Sequence, residues 1–246
     1  MTCKIKSRIT SVRYPRERAT APWSRPIVLR PTATHTTQPP RPLVVPARPV
    51  EVFAPGLLRT TRLTLRPLRE SDRFEFLRVI SISREHLKPC SCLHRDGESD
   101  EQLFERQLQM CRAGDEQGTA WRRIGVLDDG HIAGAFNLNA ITRGLSFEAD
   151  ANWWISADQV RQGLATEGVQ AMLDFALADM PQGLGLHRVS AAIMPANVAS
   201  ILLARRVGFK KQSTARVSIK LGDRWELHEL YERGFELPVS AEHIVS

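Results

Sequence analysis

The chain has 246 residues, 42% hydrophobic and 25% charged, the proportions of a soluble globular domain with room for a sizeable core. It has no apolar run of about 18 residues, so no transmembrane helix and no membrane partner are expected. The net charge of +7 is unevenly placed: residues 1–50 hold ten Lys/Arg and one acid, Glu17, so the remainder is slightly acidic and carries no general nucleic-acid signature.

Four cysteines, Cys3, Cys90, Cys92 and Cys111, form neither a zinc spacing nor a disulfide framework. Free thiols point to a reducing, cytoplasmic setting. Residues 1–55 lack glycine and carry ten prolines, including Pro-Pro-Arg-Pro, which neither a helix nor a sheet interior accepts. This segment is expected to be a disordered, basic Pro/Arg-rich extension. It reads as a transit peptide, as a polybasic arm for RNA or ribosomes, or as a tail without a selected role. The prolines oppose the amphipathic helix of a transit peptide and favour the third reading.

The ordered domain is expected over 57–235, with a tail over 236–246. Arg62–Leu68 alternates like a strand. Ser71 is expected to cap a helix to about Ile82, burying Phe74, Leu77 and Val79 or Ile80. Leu87–Cys90 forms a loop. Ser99 caps a second helix carrying Leu103, Phe104, Gln107, Leu108 and Cys111, ended by Gly114–Gly118. Strands at Ala120–Leu127 and His131–Leu138 flank Asp128-Asp129-Gly130, a strong hairpin signal. Another strand covers Phe147–Ser156.

After it stands Gln162-Gly163-Leu164-Ala165-Thr166-Glu167, opening a helix to about Ala178 with Ala165, Val169, Met172, Leu173 and Ala176 on one face. A helix start presents unpartnered N–H groups and partial positive charge, and Gly163 lets an anion approach. That reads as a pyrophosphate cradle, or as an ordinary turn containing a glycine. A strand at His187–Met194 follows, then a helix capped by Asn197, running to Arg206 and stopped by Gly208. Lys210–Leu221 and Trp225–Tyr231 form a last hairpin. The order β-α-α-β-β-β-α-β-α-β-β predicts one mixed α/β sheet flanked by helices.

Motifs in this order resemble the GNAT acyltransferases, more narrowly the RimJ/RimL type of protein N-terminal acetyltransferase. They are Arg62-Leu63-Thr64-Leu65-Arg66, Leu87-Lys88-Pro89, Gly125 with Gly134, Ile141-Thr142-Arg143-Gly144 and Trp153-Trp154-Ile155. Gln162–Glu167, Leu186-His187-Arg188-Val189, Met194-Pro195-x-Asn197-x-x-Ser200, Leu203–Phe209 and Gly222-x-x-Trp225 complete the set. The match covers about 57–235.

The resemblance implies a centrally splayed sheet and acetyl-CoA as co-substrate, with direct transfer in a ternary complex. The pyrophosphate would sit on the N–H groups of Gln162, Gly163, Leu164 and Ala165, with Thr166 in the same turn. Pantetheine would lie between the strands at Trp153–Ser156 and His187–Met194, using backbone near Trp154 and Ile155. The acetyl carbonyl would meet a backbone N–H there.

Three departures stand out. Val160 and Arg161 replace a family pair ending in glycine, and Arg161 either pairs with phosphate or is a solvated loop arginine. Ala204 stands where many relatives carry a general-acid tyrosine. Val217 and Ile219 occupy a stretch where some place a glutamate.

Acetyl transfer needs a neutral amine, and an α-amine with a pKa near 8 needs only a modest base. Glu148 and Asp150 share one strand face with Asn152 and are the candidate bases, or else a solvated edge. Glu229 ranks below them. Ser200 is the candidate proton donor to the CoA thiolate, and Asn197 a helix cap that also bonds pantetheine. The acceptor pocket is expected from Leu87–Cys92, Asn139–Gly144 and Trp225. His86, His94, His187 and His228 read as surface or packing residues, and no metal is expected. The expected reaction is acetyl transfer to a protein N-terminal α-amine, of the ribosomal-protein type. Alternatives are a small amine such as an antibiotic or polyamine, a non-catalytic acyl-CoA-binding module, and an RNA-binding protein acting through the basic tail.

Overall fold

The computed structural model describes residues 57–89, 93–221 and 224–234. The expectations for residues 1–55, for Cys90 and Cys92, and for 236–246 lie outside them. One eight-stranded sheet forms the domain, in the order β1-β2-β3-β4-β5-β6-β8-β7. Its strands are β1 (Leu58–Arg59), β2 (Thr64–Arg66), β3 (Trp121–Val126), β4 (Ile132–Thr142), β5 (Glu148–Ile155), β6 (Arg188–Ile193), β7 (Lys210–Leu221) and β8 (Arg224–Gly234). The helices are α1 (Arg73–Leu87), α2 (Asp100–Gln117), α3 (Leu164–Leu177) and α4 (Val198–Arg206).

Each sheet face has its own core. On one, Val169, Met172, Leu173 and Ala176 of α3 and Ala204 of α4 pack on Phe136, Leu138, Ala149, Ala151, Val189 and Ala191. On the other, Phe76, Val79 and Ile80 of α1 and Leu103, Phe104 and Leu108 of α2 pack on Ile124, Ala135 and Trp154. Phe76 and Phe104 meet edge to face, 5.5 Å between ring centroids. β5 therefore sends Ala149, Ala151 and Trp153 toward α3 and α4, and Asp150, Asn152 and Trp154 toward α1 and α2.

Ser99 caps α2 as expected. Its hydroxyl accepts from Gln102 N at 3.2 Å while the Gln102 side chain accepts from Ser99 N at 2.9 Å. Gly118, at φ +65°, ends the helix.

The reading of α1 is corrected. Its inner face is Phe76, Val79, Ile80 and Ser83, and Phe74 is 84% exposed. The helix does not start on a Ser71 cap: Glu70–Asp72 forms a 3-10 turn, and the Asp72 carboxylate is held by Arg66 at 2.7 Å and by Arg69 N at 2.8 Å. That anchor sets the rotation of α1. Ser83 hid the true stripe, because a polar residue on the inner face breaks an apolar count; its hydroxyl accepts from Ala157 N at 3.0 Å.

β4 also runs four residues past Leu138, through a register shift between Asn139 and Thr142 with Ala140 at φ +48°.

Candidate active site

The sheet parts in its centre. β5 and β6 are parallel and pair only at Glu148–Arg188, Ala149–Val189 and Asp150–Ser190; beyond these the strands separate. Along a strand, backbone N–H groups point alternately to either side. Ser156 N donates to Ala133 O on the β4 side at 2.8 Å. By alternation, the N–H groups of Asn152 and Trp154 also face β4, and those of Ala151, Trp153 and Ile155 face β6; Ala151 still belongs to the Asp150–Ser190 step of the ladder, so Trp153 and Ile155 face the gap. The opening thus carries backbone donors in an otherwise packed sheet. The sequence reading centred on Trp154 and Ile155; alternation assigns gap-facing amides to Trp153 and Ile155, while Trp154 lines the cavity with its side chain.

At the wide end of the gap, the chain passes from β5 through a 3-10 turn, Ala157–Gln159, to α3. Gly163, at φ +80°, is the N-cap residue of α3 and brings no side-chain cap. The helix's first bond runs from Glu167 N to Gly163 O, leaving the N–H groups of Leu164, Ala165 and Thr166 without intrahelical partners. A Cβ on Gly163 would meet only Arg62 Nη2, at 3.5 Å. Open amides, a glycine entrance and a nearby guanidinium fit a pyrophosphate chemically.

The turn is braced from behind. Glu167 accepts from Thr60 Oγ1 at 2.6 Å and from Arg62 N at 2.7 Å and Nε at 2.8 Å, while Arg62 Nη1 donates to Gln162 O at 2.8 Å. Burial favours the protonated acid, but these bonds outweigh it and hold the Glu167 pKa below the ordinary glutamate value. Arg62 was read only as part of a strand motif. Its link to a helix a hundred residues away has no local sequence signal. Arg161 is exposed and sits at φ +63°, the left-handed region where the family's glycine would be free. Gln162 bonds the Gln159 side chain at 3.2 Å.

A cavity of about 320 Å³ runs along the parted strands. Trp154, Asn197 and Ser200 line it, as do Ala151, Asn152, Ala191–Met194, His228 and, across the sheet, Arg106, Gln107, Met110, Cys111, Arg122 and Asn137. Asn197 Oδ1 caps α4 by accepting from Ser200 N at 3.1 Å. Asn137 and Asn152 are joined side chain to side chain at 2.9 Å.

His228 is 5% exposed, and its Nδ1 lies 2.9 Å from Glu226 O. A carbonyl only accepts, so Nδ1 carries the proton and a neutral His228 keeps Nε2 as an acceptor. The α2 wall has no local sequence signal: of the expected acceptor segments Leu87–Cys92, Asn139–Gly144 and Trp225, residues 90–92 lie outside the described residues and the rest do not line the cavity. Trp225 is 70% exposed.

The two candidate carboxylates differ. Glu148 accepts from Arg188 Nε at 2.9 Å, and this partner holds its pKa below the ordinary value. Asp150 has no ion pair among the described residues. Its side chain is exposed and stands outside the cavity lining, yet partial loss of hydration, with Glu148 nearby, raises its pKa above the ordinary aspartate value. Opposite it in the ladder stands Asn139, whose Oδ1 is buried without a partner. Asp150 and Asn139 thus place two acceptors at the last paired step before the strands part, beside the cavity and not in its lining. Glu229 is paired with Lys211 and Tyr231 and lies outside the cavity lining. Ala204 is fully buried in the core beneath the sheet. Among the described residues no cluster of three potential metal ligands occurs.

A sheet parted beside an uncapped, glycine-opened helix start is the architecture of a protein that holds an acyl-CoA thioester. The chain belongs to the GNAT acetyltransferases, whose domain model matches residues 62–210, more than half its length. It is an acetyl-CoA-dependent N-acetyltransferase. It is similar to the probable N-acetyltransferase YjcK of Bacillus subtilis (strain 168), 25% identical over 175 residues, covering 71% of this chain and 94% of the relative. It is also similar to the ribosomal protein uS5-alanine N-acetyltransferase of Escherichia coli (strain K12), 25% identical over 175 residues, covering 70% and 88%. Mycobacterium smegmatis RimJ, solved in complex with CoA-disulfide, shares the fold at a TM-score of 0.64 and 22% identity, covering 74% of this chain and 88% of that one.

Proposed function

We propose that the protein acetylates the α-amine of a protein N-terminus, of the ribosomal-protein type, by direct transfer. The observation that carries this reading is the pair of unpartnered acceptors, Asp150 and Asn139 Oδ1, at the last paired step before the strands part. The uS5-alanine acetyltransferases among its relatives support the acceptor class.

In this reading the pyrophosphate of acetyl-CoA rests on the amides of Leu164, Ala165 and Thr166, entered past Gln162 and Gly163, with Arg161 and Arg62 beside it. The pantetheine follows the gap between β5 and β6. From Ile155 back to Ala151 the strand spans roughly 13 Å, a reach that brings the thioester toward Asp150. Asn197 borders the arm. The incoming ammonium loses one proton to Asp150, and the neutral amine attacks the thioester carbonyl carbon. Gap-facing N–H groups of β5 stabilise the oxygen as it gains charge. The C–S bond breaks, and the second proton on the nitrogen passes through the Ser200 hydroxyl to the CoA sulfur, which leaves as a thiol. Glu148 positions Arg188 and takes no proton.

The test is mass spectrometry of reaction mixtures containing acetyl-CoA and either N-terminal peptides or small amines. Acetylation confined to peptide α-amines is the expected result. Turnover of polyamines or antibiotics alone, or CoA binding without turnover, would refute the proposal.

A further inference from the structure

The acceptor side of the cavity has an unusual charge. Three arginines line it, Arg106, Arg122 and Arg123, and among the described residues no aspartate or glutamate does. Two of the three are compensated from behind: Arg106 by Glu98 at 2.6 Å, Arg123 by Asp115 at 3.0 Å. Arg122 is different. It is half-buried between α2 and the sheet, and its hydrogen-bond partner is a neutral amide oxygen, Gln107 Oε1, at 3.5 Å. Burial lowers its pKa, and the neighbouring positive charge of Arg106 adds to that effect. A half-buried guanidinium with no anionic partner among the described residues is a costly arrangement. It is tolerated where a ligand completes the pair.

Arg122 also has a defined place relative to the chemistry. It pairs with Asn137 across β3 and β4, and Asn137 pairs with Asn152 across β4 and β5. Two strand spacings, roughly 10 Å, separate it from the splayed strand. An extended acceptor chain covers that distance in about three residues, fewer once the arginine's own length is counted.

We propose that Arg122 is a specificity residue that binds a carboxylate on the acceptor, carried by the second or third residue behind the acetylated amine. This rests on the proposed N-terminal acceptor and narrows it to acidic N-termini. It also disfavours polyamines, which would bring positive charge to an arginine-lined wall.

The experiment uses the full chain loaded with CoA and two N-acetylated hexapeptides, one beginning Ala-Asp-Glu and its twin beginning Ala-Asn-Gln, with binding read by calorimetry. The acidic peptide should bind about tenfold or more tightly, the usual gain from a charge-assisted pair. Arg122→Gln should erase the difference, Arg122→Lys should keep part of it, and CoA affinity should be unchanged in both. Equal affinity for the twins, or a preference that survives Arg122→Gln, overturns the assignment. If neither peptide binds, the N-terminal reading falls. β-Alanine and its amide, assayed as acetyl acceptors, then decide the role of Arg122. A carboxylate preference dependent on Arg122 sustains it, and indifference sinks it.

Discussion

Asp150 and Glu148 stand two residues apart on one strand and face the same side, yet their surroundings pull them in opposite directions. Arg188 stabilises the Glu148 anion, whereas partial loss of hydration and the Glu148 charge destabilise the Asp150 anion. Only the second arrangement makes a carboxylate ready to accept a proton. Asp150→Asn is expected to lower kcat/KM about 100-fold or more and to leave CoA affinity unchanged, measured by steady-state kinetics and calorimetry. Its stability effect has a sign of its own. A carboxylate whose folded-state pKa is raised weakens the fold as pH climbs through that pKa, so Asn at 150 should not lower the denaturation midpoint at pH 7. Glu148→Gln should retain most activity. Arg161 supplies a second residue-scale test. At φ +63° it occupies a conformation that costs a non-glycine residue about 1 kcal/mol. Arg161→Gly should therefore raise the chemical denaturation midpoint, while CoA affinity falls if the guanidinium meets phosphate.

The helices are held in place by contacts that set the site's geometry. Gly168 of α3 lies against Phe136 of β4 so closely that a Cβ there would come within 2.2 Å of the ring. Gly168→Ala should overpack this contact, cost about 1–3 kcal/mol in urea unfolding and weaken CoA binding by displacing the start of α3. Phe136→Leu in the same chain should recover part of both losses.

α1 is tied to the sheet by Glu75, which accepts from Arg78, His131 and Ile132 N and has its pKa lowered from 4.5 to about 2. A depressed carboxylate contributes stability above its unfolded pKa and loses it as pH falls through the folded one. Glu75→Gln should thus destabilise the protein at pH 7 and converge with the parent as pH drops from 4.5 toward 2.

These element-scale ties also explain which parts were legible in the sequence. Periodic apolar stripes, the Ser99 capping box, Gly163 and Asn197 are local signals, and they placed α2, α3, α4 and the helix start at the gap. The rotation of α1 was not local: it depends on Asp72 meeting Arg66, and its inner stripe includes a polar Ser83. Nor was the cavity wall, because Arg122 faces Gln107 only once α2 lies over β3. For a base, spacing yielded two carboxylates and no reason to prefer either; only the salt bridge to Arg188 separates them.

At the scale of the whole molecule, the opening is a mechanical weakness with a chemical use. Three residue pairs join β1–β5 to the β6-β8-β7 half, and the covering helices supply the remaining connection on the α3 face. A ligand lying in the gap bonds both edges and restores the missing ladder. At a CoA concentration 100 times its Kd, binding adds about 2.7 kcal/mol to the folded state, which should appear as a rise in Tm.

A general Tm shift does not say where the ligand sits, but backbone direction does. The N–H groups of Asn152 and Trp154 point to β4 and are already bonded, and that of Ala151 closes the last step of the ladder to β6, while those of Trp153 and Ile155 point into the gap. Hydrogen exchange followed by NMR should show slow exchange at the even-numbered pair with or without CoA. The amides of Trp153 and Ile155 should exchange fast in the free protein and slow on CoA addition. Uniform slowing across all five residues would mean that CoA rigidifies the domain without lying along β5, and the assignment of the gap as the pantetheine channel would then be wrong.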